Sequence, residues 1–112
     1  MDNVITLTSE NFDEKVVRSG TPVLVDYWAP WCGPCRAVSP LVEEIAGERA
    51  GNLVVGKVNV DEEPDLAVRA GVQGIPTLVL YQDGVPVRQT VGALPKRKIE
   101  KSLGLRNLGG AA

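Results

Sequence analysis

The chain has 112 residues, 44% of them hydrophobic and 23% charged, with 14 acidic against 12 basic side chains and a net charge of −2. That length makes one domain able to bury a core without cross-links, and the balance argues against disorder. So small a net charge argues against nucleic acid or an acidic membrane as partner, and no apolar run is long enough to span a bilayer.

The start, Met1-Asp2-Asn3, lacks the basic and apolar regions of a signal peptide, so a cytoplasmic location is expected. Val4 to Leu7 reads as a short strand, and Thr8 or Ser9 can cap a helix that carries Phe12, Val16 and Val17 inward before Gly20. Val23 to Trp28 is a nearly continuous apolar run, the pattern of a central strand buried on both faces. A second helix runs from Cys32 to about Ala50, with Pro40 expected to kink it. Leu53 to Val60 is the third strand. Asp61-Glu62-Glu63-Pro64 opens a third helix, its acids at the positive end of the dipole, and Gly71 closes it. Thr77–Tyr81 and Val85–Val91, joined through Asp83-Gly84, predict an antiparallel hairpin. Pro95 suits the first turn of a last helix carrying Ile99 and Leu103, with Gly104 at its end. The order β-α-β-α-β-α-β-β-α implies an α/β domain over residues 1–104, a mixed sheet with helices on both faces. Residues 105–112, ending in Gly109-Gly110-Ala111-Ala112, read as a frayed tail.

The two cysteines stand three positions apart in Trp31-Cys32-Gly33-Pro34-Cys35, after a strand and at the start of a helix. A structural bridge normally closes a long loop, because that restricts the unfolded chain most. Across one helical turn a bridge restricts little, so the spacing favours a dithiol that opens and closes over a staple. In a reducing cytosol such cysteines are catalytic or metal-binding rather than permanently oxidised. Histidine is absent, which removes any Cys-His zinc site and any Ser-His or Cys-His pair, and no metal is expected.

Around this motif stand Asp26, Trp28, Pro40, Lys57, Gly74-Ile75-Pro76-Thr77, Asp83-Gly84 and Val91-Gly92-Ala93. With these residues in this order the chain resembles the thioredoxin family along nearly its whole length, the segment after about Gly104 excepted. The resemblance implies a five-stranded mixed sheet with four helices and the reduction of protein disulfides. It also implies thioredoxin reductase and disulfide-containing client proteins as partners, and a monomer.

Cys32, at the helix start, is expected to be the attacking sulfur, because unpaired N–H groups and the helix dipole favour a thiolate there. Cys35, one turn deeper, would resolve the mixed disulfide. Gly33-Pro34 adds no positive charge between them, which favours a reductant over a dedicated oxidant. Asp26 lies among Leu24, Val25, Tyr27 and Trp28. It is either a buried carboxyl with a raised pKa, able to take a proton from Cys35, or a strand-end residue facing solvent. Lys57 is either a partly buried partner of Asp26 or a lysine reaching to water. The resemblance makes Pro76 a cis-proline and leaves the Ile75 backbone free to pair with an extended substrate. Trp31, Gly33, Pro34, Gly74, Ile75, Val91, Gly92 and Ala93 would complete that docking surface, although turn and core duties explain each of them singly. No bound cofactor is implied, since the cysteines are the redox group and no Gly-rich nucleotide fingerprint occurs. The competing reading is a binding module of this fold that holds a partner regardless of redox state.

Overall fold

A computed structural model describes residues 3–108. Its centre is β2 (Val23–Trp28), whose apolar run is explained by its neighbours: β3 (Val54–Asn59) lies parallel on one side and β4 (Thr77–Gln82) antiparallel on the other. β1 (Val4–Thr6) pairs parallel with the far side of β3, and β5 (Val85–Val91) pairs antiparallel with β4. The sheet is therefore five-stranded and mixed, in the order β1-β3-β2-β4-β5.

Side chains alternate along each strand, so each face of the sheet collects its own core. On one face Leu24, Val55, Leu78 and Leu80 meet α1 (Gly33–Glu48) through Val38, Val42 and Ile45 and α3 (Lys96–Leu103) through Ile99 and Leu103. On the other, Val23, Val25, Tyr27, Val58 and Val79 meet Phe12, Val16 and Leu66, the last from α2 (Pro64–Ala70). Two buried phenols sit on this second face, and Tyr27 Oη and Tyr81 Oη satisfy each other at 2.7 Å. A helical segment over Asp13–Val17 makes, with α1, α2 and α3, the four helices of the fold.

One expectation is refined, one gains detail and one is corrected. The first helix starts where expected, the Thr8 hydroxyl accepting the Glu10 N–H at 3.2 Å and the Thr8 carbonyl the Phe12 N–H at 3.0 Å, but its last turn, Asp13–Val17, is wide and closes with the Arg18 N–H on the Asp13 carbonyl at 2.9 Å. The acids before α2 stand at the start of that helix and also bind other segments: Glu63 Oε1 accepts from the Ser9 N–H and hydroxyl, and Asp61 reaches Trp31. The frayed tail fails for residues 105–108. Leu105 is fully buried and Leu108 is 6% exposed, and a 3-10 turn over Leu105–Asn107 brings both back onto the α1–α3 core. Gly109 to Ala112 lie outside the described residues.

Candidate active site

β2 ends at Trp28 and the chain turns at once, the Cys32 N–H donating to the Ala29 carbonyl at 3.2 Å. This turn delivers Cys32 to the N-cap of α1 in an extended conformation, with Pro34 in the first helical turn where no N–H is missed. Cys32 Sγ accepts the Cys35 N–H at 3.1 Å, so the sulfur serves as the helix cap. Cys32 and Cys35 form a disulfide with their Cα atoms 5.3 Å apart. Each cysteine is only 3% exposed, so in this oxidised form burial does not separate an outer sulfur from an inner one. Their surroundings do. Cys32 lies between exposed Trp31 and the exposed pair Gly33-Pro34, whereas Cys35 lines a cavity of about 120 Å³ with Trp28, Ser39 and Lys57.

Asp26 is 1% exposed, which removes the reading of a solvent-facing strand end. Burial pushes its carboxyl from 3.8 up to about 6, and the Lys57 charge opposes that rise. Asp26 and Lys57 face each other in the β2–β3 register. Lys57 is half-buried, and its Nζ joins none of the ion pairs found among the described residues. It donates instead to Ser39 Oγ at 2.9 Å and lies 4.7 Å from the centre of the Trp28 ring. Asp26 Oδ1 has no hydrogen-bond partner among the described residues.

The third part of the site is the loop before β4. The Ile75-Pro76 bond is cis, the Gly92 N–H donates to the Pro76 carbonyl at 2.8 Å, and the Thr77 hydroxyl donates to the Gly74 carbonyl. These bonds tie Gly74–Pro76 to the end of β5 and bring Val91, Gly92 and Ala93 to the same edge. Ile75 packs against the two cysteines, and its own N–H and carbonyl make no hydrogen bond among the described residues. Beside it runs an apolar groove of about 230 Å³ between Trp31, Val60, Ala67, Val72 and Gln73. Trp31 is 67% exposed and is held there by its Nε1–H on Asp61 Oδ2 at 2.9 Å.

The fold gathers Cys32, Cys35, Trp31, Gly74, Ile75, Pro76 and the end of β5 at one edge, sets Asp26 opposite Lys57, leaves Asp83-Gly84 at the far hairpin turn, and adds Ser39, Asp61 and the groove walls. Ser39 had a legible signal, since it follows Cys35 by four positions and shares its helix face. Asp61 had none, because its bond to Trp31 joins segments 30 residues apart. Among the described residues no group of three or more metal-ligating side chains converges, and no helix is long and apolar enough to cross a membrane.

Known proteins resemble this chain over most of its length. Residues 3–104 match the family model described as Thioredoxin. The chain is 46% identical over 103 residues to "Thioredoxin 1" of Nostoc sp., an alignment covering 92% of this chain and 96% of that protein. Identity to "Thioredoxin 1" of Synechococcus elongatus is the same over the same shares. To "Thioredoxin" of Alicyclobacillus acidocaldarius it is 46% over 99 residues, 88% of this chain and 93% of that one. A buried carboxylate behind a cysteine pair at a helix mouth, in a chain of this likeness, has one meaning: the chain belongs to the thioredoxin family and is a thiol-disulfide oxidoreductase.

Proposed function

We propose that the chain works as a reductant of protein disulfides, a monomer in the reducing cytoplasm, with Cys32 attacking and Cys35 resolving. In the reduced protein the Cys32 thiolate attacks one sulfur of a client disulfide. A Cys32–client bond forms, the client S–S bond breaks, and the first client sulfur leaves as a thiolate. Cys35 gives its proton to the Asp26 carboxylate and attacks Cys32 Sγ. The internal disulfide closes, and the second client sulfur departs. Two electrons have passed from dithiol to client, and a partner reductase returns them.

The observation that carries this reading is the Cys32 sulfur capping α1, where the Cys35 N–H donates to it. The same donor stabilises a thiolate, and the helix dipole adds to it. A lowered cysteine pKa is an established property of the family rather than a deduction from this chain. The unpaired Ile75 backbone supports docking of an extended client segment by strand addition, with Trp31, Gly33, Pro34, Gly74, Pro76, Val91, Gly92 and Ala93 around it. No bound cofactor takes part, and Lys57 tunes the proton acceptor.

The test is reduction of a protein disulfide by dithiothreitol, with and without the chain. The parent should accelerate it and Cys32→Ser should not. Cys35→Ser should accumulate a covalent adduct on Cys32, because the resolving sulfur is gone. A Cys35→Ser chain that captures nothing from cell extract, or a Cys32→Ser chain as active as its parent, would overturn the assignment.

A further inference from the structure

The cavity behind Cys35 has one polar wall that the exchange steps leave unused. Ser39 lies one helical turn beyond Cys35, and both line this space with Lys57 and Trp28. Lys57 stands opposite Asp26, whose Oδ1 lacks a partner among the described residues. An ammonium so placed would ordinarily bond the orphaned carboxylate. Here it is held by two other groups, the Ser39 hydroxyl at 2.9 Å and the face of Trp28 at 4.7 Å.

We propose that Ser39 is a positioning residue: its hydroxyl holds the Lys57 ammonium against Trp28 and away from Asp26, which leaves the Asp26 carboxylate unpaired to accept the Cys35 proton. The purpose of this device rests on the reductase reading above, but its geometry does not. The groups facing Asp26 are few. β3 contributes Lys57, β4 places Leu78 opposite, β2 adds Leu24 and Trp28 on the same face, and α1 brings Cys35 and Ser39 to the cavity that Lys57 and Trp28 also line. Arg36 also lines that cavity, yet its guanidinium donates to the Pro30 carbonyl at 3.0 Å. Among the described residues Lys57 is the charge that opposes the rise of the Asp26 pKa, so the place of its ammonium sets how strongly the carboxylate holds a proton.

Ser39→Ala removes the hydroxyl and keeps a good helix former, whereas Ser39→Thr keeps the hydroxyl. The readout is the titration of the Asp26 carboxyl carbon, followed by 13C NMR in the oxidised full chain, with no turnover required. The midpoint should stay at about 6 in the parent and in Ser39→Thr. It should fall by about 1 pH unit in Ser39→Ala, as Lys57 swings to the carboxylate. In a Lys57→Met background Ser39→Ala should move nothing, and at neutral pH it should slow release of the second client thiol several-fold in the otherwise native chain. An unchanged midpoint in Ser39→Ala, or the same fall without Lys57, overturns the proposal. Failure of the parent to reduce any protein disulfide would instead overturn the reductase reading, which the titration does not touch.

Discussion

Asp26 is the residue at which stability and chemistry pull apart. Its carboxyl titrates at about 6 in the folded chain against 3.8 when free, because burial penalises the charged form more than Lys57 favours it. A raised acid pKa means that the folded state binds a proton the unfolded state has released. Stability therefore falls as pH climbs from about 4 to about 6, and the loss is complete above the folded value. At 1.36 kcal/mol per pH unit the penalty at neutral pH is about 3 kcal/mol. Asp26→Ala should lift it, less a small cost for the space left behind. Urea unfolding should find the variant more stable than its parent by about 2 kcal/mol at neutral pH, with the difference gone near pH 4. Equal stabilities at neutral pH would mean that the carboxylate is solvated or paired. The same variant should resolve mixed disulfides slowly if the proposed proton transfer to Asp26 operates, which a stopped-flow release assay measures.

The β4–β5 hairpin turns at Asp83 and Gly84, with φ of 54° and 81°. Two successive positive φ values are what the Asp-Gly pair supplies in a two-residue turn twisted to match its strands. Gly84 carries a second constraint, because a Cβ there would run into the Val17 carbonyl at the end of the wide helical turn. Gly51 also has a positive φ, 92°, but a Cβ there meets nothing within 4 Å. Gly51→Ala should therefore cost only backbone strain, about 1 kcal/mol, and Gly84→Ala at least about 2 kcal/mol. Equal shifts in urea midpoint would show that the Val17 contact yields freely. This hairpin and β2 were legible because their signals are local: an Asp-Gly pair between apolar runs, and a run apolar on both faces. The first helix was legible at its start but not in its wide last turn. Thr8 caps it, its hydroxyl accepting the Glu10 N–H while its own N–H goes to Asn11 Oδ1, whereas Ser9 is bound by Glu63 from 54 residues away. Asp61 was missed because its partner Trp31 is remote in sequence, and Ser39, legible on the Cys35 face of α1, still gave no sign of its partner Lys57 on β3.

Two cores, one on each face of a five-stranded sheet, meet only through the strands, and the cysteines sit at the end of β2, where its neighbours are parallel on one side and antiparallel on the other. Crevices form at such places because the chain leaves the strand end in a new direction. The core on the α1–α3 face is closed by residues that composition marks as tail. The glycines and alanines at 109–112 obscure Leu105 and Leu108, whose three-residue spacing is that of one side of a tight turn. Arg49 ties this closure to α1, its guanidinium donating to the Leu105 carbonyl at 3.0 Å and to Glu100 Oε2 at 3.4 Å. The segment is therefore part of the cooperative unit rather than an appendage to it. Leu105→Ala should cost about 3 kcal/mol, the range for a leucine lost from a packed core. Exposed Arg106, its neighbour in the same turn, should tolerate alanine within about 0.5 kcal/mol. Urea unfolding of the pair decides the matter, since a loose segment would make the two substitutions equally mild, whereas a core segment makes only the first one severe.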